Sequence, residues 1–355
     1  MVNRVRPLDE WVSRLSTSNP NDVAAALEVL GEALCADDEA VRERAAQLLV
    51  KELARAGSAA QGPILRLLQT SWWPPQVQLA EPALEAVLTA VARIDVDAPE
   101  LDEAALLIAN LYRAAPLPLS ALEGALGHAK ASVRRVAAGC VGRVGKAAVS
   151  LLPRLLTVLD DSESVAGAAL ESLGSLASAA PEVALPALFD QVSRAEGTRQ
   201  YLALTSLRSL VEEGRREGKP APELASLEPV LLKTAEDPQP PVRLEAVSLL
   251  GLGRLSSLST VAALRKRLQD ESPAVAACAA VALLRVGAPP QEAASLLAAQ
   301  LASAENPDKV GAALSALEGV EPATLGRIRD TLAAAARGAK GLVAEALHEL
   351  LPRNA

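Results

Sequence analysis

Apolar residues recur through most of the chain three and four positions apart, the spacing of one face of an α-helix, and the same stripe returns every 32 to 35 residues. Val133 and Val165 are 32 residues apart, and Val242, Val275, Val310 and Val343 follow one another at 33, 35 and 33. Val41 anchors an earlier copy, and Arg199 occupies the valine column between Val165 and Val242. Four and eight positions after the anchor stand Ala45 and Leu49, Ala137 and Val141, Ala169 and Leu173, Ala246 and Leu250, Ala279 and Leu283. These offsets place one apolar stripe on a helix. Glycine recurs nine positions after the anchor, at Gly142, Gly174, Gly251 and Gly319. A missing side chain there predicts a neighbouring helix in close approach.

A second, shorter amphipathic segment precedes each anchored helix, at 151–159, 224–235, 261–268 and 290–304. Between the two lies a polar turn carrying Asp, Ser and Pro, residues that cap or pre-set the first turn of the following helix. The unit is therefore helix, tight turn, helix and connector. One such unit cannot bury its own apolar face, whereas a stack of them makes a continuous core. The N-terminal third is less regular. It predicts a short capping helix over 7–16, pairs at 23–35 with 39–56 and 60–69 with 75–94, and an extra helix over 101–114 that is out of phase with the 33-residue spacing. The expected fold is all-α, an α-α superhelix of about eight to nine helix pairs. Residues 1–117 form the cap and irregular repeats, and 118–355 the regular ones, in one continuous stack.

The turn Asp followed by Val-Arg and an Ala-rich helix ending in Leu-Gly, as in Asp237, Val242-Arg243 and Leu250-Gly251, resembles the HEAT repeat, particularly its short bacterial form found in PBS-lyase-type proteins. The resemblance spans roughly residues 20–350. It implies a HEAT-repeat solenoid, with a ladder between adjacent repeats formed by the turn Asp and the Arg after the valine. Asp237 and Arg243 match both positions, Asp160 and Asp270 supply the Asp alone, and Arg134 follows a copy with His128 in the Asp column. Such a ladder is partial, and its role is structural.

Composition narrows the chemistry. Half the residues are hydrophobic and only 2% aromatic, which suits thin helical layers and argues against β-sandwiches and barrels. The net charge of −8 argues against indiscriminate binding to nucleic acid or anionic membrane. The N-terminus lacks a signal-peptide apolar run, and the apolar stretch 273–284 stops at Arg285, too short to span a bilayer. Cys35, Cys140 and Cys278 are scattered in apolar helical contexts and read as free thiols of a reducing cytoplasm. The excess of Arg (27) over Lys (8), in an Ala-rich chain, accompanies GC-rich bacterial genomes. Two histidines and no paired Cys spacing leave no basis for a metal site, and no cofactor is expected.

Four features are candidates for partner binding. Trp72 and Trp73 precede Pro74-Pro75 in a turn, so one ring is expected to point inward and the other to solvent as an interface anchor; alternatively both plug the joint between repeats. Between 121 and 154 six basic residues, among them Arg134, Arg135 and Arg143, face one Glu. They read either as a site for an acidic partner, such as a GTPase, a kinase domain or an acidic tail, or as a face paired with the acidic segment 81–123. The inner ridge, two and six positions after the anchor, is small and nearly uncharged from Leu244 through Ala277, Val281 and Ala312 to Ala316. It reads as a groove for an amphipathic helix, or simply as the consequence of an Ala-rich composition. The connector 212–222, charged and glycine-containing, reads as a surface loop.

No GxSxG, P-loop or GxGxxG sits at a strand-to-helix turn, so no catalytic residues are assigned. The expected function is a non-catalytic protein-binding scaffold or regulatory adaptor in the cytoplasm, with protein partners, no nucleic acid and no membrane insertion. The alternative implied by the resemblance is an accessory subunit of a HEAT-like enzyme, of the bilin-lyase or DNA-glycosylase kind. The acidic balance and shortage of aromatics count against the glycosylase form.

Overall fold

The computed structural model describes residues 8–17, 19–55, 58–218, 222–303, 305–318 and 320–336. The repeat expected at Val343, with Glu345, His348 and Glu349, lies outside these residues, as do Pro7 and Gly319. The described residues are helical, with no strand among them. The chain divides into two compact units, Met1–Ala187 and Leu188–Ala355.

The first unit runs α1 (Leu8–Arg14), α2 (Pro20–Leu34), α3 (Glu39–Arg55), α4 (Ser58–Ser71), α5 (Val77–Val91), α6 (Glu100–Ala114), α7 (Ser120–Leu126), α8 (Ala131–Val144), α9 (Leu152–Leu156) and α10 (Glu163–Leu176). α2, α4, α6, α8 and α10 each pack on the next, and α3 packs on α5. The out-of-phase helix is α6, which lies against α4 and α5 as well as α8 and so joins the irregular pairs to the regular ones. The division into units falls within α11 (Pro181–Arg194).

The second unit contains α12 (Gly197–Arg216), α13 (Glu228–Thr234), α14 (Pro240–Leu252), α15 (Leu258–Arg267), α16 (Pro273–Arg285), α17 (Pro290–Leu301), α18 (Pro307–Leu317), α19 (Pro322–Gly326) and α20 (Arg329–Ala336). Here α12, α14, α16 and α18 form one layer in sequence order, and α13 packs on α15 behind them. Pro in the first turn of α14, α16, α17 and α18 pre-sets φ where the N–H has no helical acceptor. The Ser257 and Asn306 side chains cap α15 and α18 by accepting from the Thr260 and Lys309 N–H groups.

The periodic positions form the core. Val133, Val165, Val242, Val275 and Val310 are buried, and so is every residue four and eight positions after the anchors at 41, 133, 165, 242 and 275. Two of the recurrent glycines, Gly142 and Gly251, mark close approach. A Cβ on Gly142 would lie 2.6–2.9 Å from Ser172, whose hydroxyl accepts from the Gly142 N–H and donates to the Ala138 carbonyl. A Cβ on Gly251 would lie 2.7 Å from Ala282 Cα.

Two rungs of an arginine ladder cross between repeats. The Arg243 guanidinium donates through Nε and Nη2 to both oxygens of Asp270, at 3.0 and 2.7 Å, and through Nη1 to the Asp237 and Pro238 carbonyls of its own turn. Arg134 repeats the arrangement on Asp161 and on the His128 and Ala129 carbonyls. The rung uses Asp161, one residue beyond Asp160. Asp237 instead accepts from the Gln239 N–H and shapes its own turn.

Two segments differ from expectation. The first half of the connector is helical, because α12 runs on to Arg216 and is held by the Arg208–Glu212 pair at 3.0 Å. The run Ala131–Leu156 has the length and mean hydropathy (1.2) of a membrane-crossing helix, with half of its apolar window buried. Gly145, at φ +73°, divides it into α8, a 3-10 turn (Gly145–Leu151) and α9.

Candidate functional site

Successive helices of one layer present the same face at every repeat, so residues far apart in sequence line a common surface. In the second unit this surface carries two adjoining depressions of about 410 and 260 Å³. α12 contributes Arg208, Glu212 and Arg215; α14 contributes Leu244, Glu245 and Ser248; α16 contributes Ala274, Cys278, Val281 and Arg285; α18 contributes Ala312, Ser315 and Ala316. Within each helix these positions recur three or four residues apart, with Leu244/Glu245 and Ser315/Ala316 as adjacent pairs, so each set shares one broad helix face.

Leu244, Ala274, Val281, Ala312 and Ala316 are the apolar part of the lining. Most of the rest is an ion-pair network. Arg208 Nε donates to Glu245 Oε2 at 2.5 Å while its Nη1 meets Glu212 at 3.0 Å. Burial pushes the Glu245 carboxyl above its ordinary pKa and outweighs the pull of Arg208. Burial also opposes the Arg208 charge, but Glu245 and Glu212 together hold its pKa above the usual value. Further along, Glu321 is the meeting point of three guanidinium groups: Arg215, in direct contact, Arg285 at 3.5 Å and Arg254 at 3.9 Å. Burial lowers the pKa of Arg285, and Arg215 lowers it further. Arg215 is lowered in turn by burial and by Arg254.

The ridge read from the sequence falls on this groove at Leu244, Val281, Ala312 and Ala316. Ala277 does not. It is fully buried with Ala313 and Leu317, because a single methyl group cannot reach past the flanking helices, and Ala274 and Cys278 take its place at the surface. The groove is also not uncharged. Arg208, Glu212, Arg215, Glu245, Arg285 and Glu321 were missed, because they fall outside the two-and-six register or in the connector read as a loop.

The other candidates separate. Trp72 is buried, with its indole N–H donating to Gln76 Oε1 at 2.5 Å, whereas Trp73 is 58% exposed beside Pro74, across a cis peptide bond. Three of the six residues of the basic cluster are engaged within the first unit. Arg134 is held by Asp161; Arg135 binds both oxygens of Asp102 and the Val96 carbonyl; Arg143 donates to the Gly139 carbonyl. Of these, Arg135 pairs with the acidic segment, through Asp102. Among the described residues, no three His, Cys, Asp or Glu side chains are grouped to hold a metal ion. Burial pushes the Cys140 thiol up to about 12 and the Cys278 thiol up to about 11, so both remain protonated at neutral pH.

Comparison with known proteins agrees with this architecture. Residues 228–318, which carry α13 to α18, match the family model for HEAT repeats. No curated protein gives a significant sequence match. Among solved structures, Kap95p, which on binding RanGDP induces its switch loops to adopt the GTP-bound conformation, is 16% identical with a TM-score of 0.51. That match covers 97% of this chain and 49% of Kap95p, about half its length, and it concerns the fold. An engineered protein from the Northeast Structural Genomics Consortium is 19% identical, covering 88% of this chain and 94% of its own, with a TM-score of 0.46. Kap95 in complex with Nup1 is 13% identical over 97% of this chain and 58% of its own, with a TM-score of 0.43.

Proposed function

As a member of the HEAT-repeat family, the chain displays a surface assembled from successive repeats, and we propose that it is a non-catalytic protein-binding scaffold whose groove on α12, α14, α16 and α18 docks an amphipathic helix of a partner protein. The observation that carries this reading is the mixed lining of the groove. Leu244, Ala312 and Ala316 offer partly exposed apolar surface, and the arginine–glutamate network lines the same depressions. A bound helix with one apolar face and one charged edge complements both. Kap95p uses the same fold in complex with a protein, RanGDP, which supports a protein as the partner class. The protonated thiols of Cys140 and Cys278 and the engagement of Arg208, Glu212 and Glu245 with one another favour display over catalysis. Free thiols at Cys35, Cys140 and Cys278 accord with a reducing, cytoplasmic setting.

Affinity capture with the wild-type chain and with Ala312→Glu and Ala316→Glu variants tests this. Both alanines are half-buried at the surface, so the variants fold and place a charge in the apolar lining. Loss of the same stoichiometric protein from both variants, and its retention by a Lys266→Glu control on α15, is the expected result. Retention by all three would move the interface elsewhere.

A further inference from the structure

In three of the anchored helices the twelfth residue after the valine lies in the left-handed region. That residue is Gly145 (φ +73°) after Val133 and Gly287 (φ +84°) after Val275, but Arg254 (φ +51°) after Val242. Glycine takes this conformation without strain, and a side chain resists it. The backbone bonding is the same in the two second-unit turns. The Arg254 N–H donates to the Gly251 carbonyl and the Leu255 N–H to Leu250, as the Gly287 N–H donates to Leu284 and the Ala288 N–H to Leu283. Arginine therefore adds nothing to the turn that glycine would not supply.

What it adds is a charge beside Glu321, a residue of the groove wall. The Arg254 guanidinium is 3.9 Å from Glu321, with its side chain 69% exposed, while Arg215 and Arg285 approach the same carboxylate from the buried side. Three cations thus converge on one anion. Arg285 Nε, shielded from solvent, has no hydrogen-bond partner. Three guanidinium groups share this one carboxylate, and Arg215, Arg285 and Glu321 lie in the wall of the larger depression together with Glu212 and Glu318.

We propose that Arg215, Arg254 and Arg285 form a carboxylate-recognition site for an acidic residue of the docked partner helix, and that Glu321 is its resident internal occupant. This rests on the docking reading above and specifies the partner's chemistry: an amphipathic helix with glutamates or aspartates along one edge of its apolar face. Guanidinium groups bind carboxylates through paired, charge-assisted hydrogen bonds, and Arg285 at 3.5 Å and Arg254 at 3.9 Å do not form such a pair with Glu321. An incoming carboxylate takes over Arg254 and Arg285, and Glu321 turns outward or shares Arg215.

The test uses a fluorescent 18-residue helical peptide with leucines at i, i+3, i+4 and i+7 and glutamates on one flank, beside a matched peptide with glutamines in their place. Binding is read by anisotropy against the full chain. The acidic peptide is expected to bind at least about tenfold more tightly than its glutamine counterpart, and added salt should reduce that difference. Arg254→Asn, which tolerates the left-handed backbone, should weaken the acidic peptide several-fold and leave the glutamine peptide unchanged. Glu321→Gln should strengthen acidic-peptide binding, because the internal competitor loses its charge; circular dichroism of each variant verifies folding. Equal binding of the two peptides, with no effect of either variant, overturns the carboxylate site and leaves the docking groove standing. Binding of neither peptide overturns both.

Discussion

Gly251→Ala and Gly311→Ala make the same chemical change on two helices of one unit and should shift stability in opposite directions. Alanine is favoured over glycine within a helix by about 1 kcal/mol. At Gly251 the new methyl would sit 2.7 Å from both Cα and Cβ of Ala282, and the Cα belongs to the backbone of α16, not to a side chain that can rotate away. Helix α14 must therefore move off α16. Overpacking of this kind costs about 1–3 kcal/mol, and contact with backbone places the cost toward the upper end. After the propensity gain, Gly251→Ala should lose about 1–2 kcal/mol. At Gly311 nothing lies within 4 Å of the added Cβ, so Gly311→Ala should gain about 0.5–1 kcal/mol. Urea unfolding followed by circular dichroism at 222 nm separates the two through the midpoint. Adding Ala282→Gly to Gly251→Ala should recover only part of the loss, because the Ala282 Cα remains in place. If Gly251→Ala unfolds at or above the wild-type midpoint, the close stacking of α14 on α16 is wrong.

Other outcomes follow from the same structure. Arg243→Ala leaves the Asp270 carboxylate buried without its main partner and should cost about 3–5 kcal/mol, whereas Arg265→Ala, whose pair with Glu292 is about half exposed, should cost under about 1 kcal/mol in the same unfolding assay. Burial works against charge on Asp270, but Arg243, the Ser272 N–H and Arg267 hold its pKa below the ordinary 3.8; Asp161 is held low chiefly by Arg134. Folded carboxyls with depressed pKa values stabilise the fold above the unfolded pKa and lose that contribution as pH falls through the folded values. Acid titration should therefore show stability falling below about pH 4, with a shallower fall in Asp270→Asn. Trp72→Ala should destabilise by about 3–5 kcal/mol and remove a blue-shifted component of the fluorescence. Trp73→Ala should change stability by less than about 0.5 kcal/mol and remove a red-shifted one.

Much of the fold was legible because each repeat solves the same local problem. The valine anchors and the residues four and eight positions later must face inward wherever a helix lies on its neighbours, and the burial of Ala137, Val141, Ala246 and Leu250 follows from that spacing. Gly142 and Gly251 were legible for a related reason, since close helix approach leaves no room for a methyl. The groove's apolar lining was found from the same register, but its charged wall was not. Glu321 lies outside every anchored helix, and Arg254 stands in a left-handed turn position that glycine takes at 145 and 287. Arg215 sits in a stretch whose glycine and charges read as a loop, although a pairing four residues apart keeps it helical. Such residues are brought together by stacking across repeats, and no local period marks them.

The central claim, that one helical layer of the second unit receives a partner helix, is tested most directly by hydrogen–deuterium exchange of the chain alone and with its captured partner. Slowed exchange at the groove-facing residues of α12, α14, α16 and α18, with α13, α15 and α17 unchanged, is the result the account predicts. Slowing confined to α13, α15 and α17, or to the first unit, would contradict it.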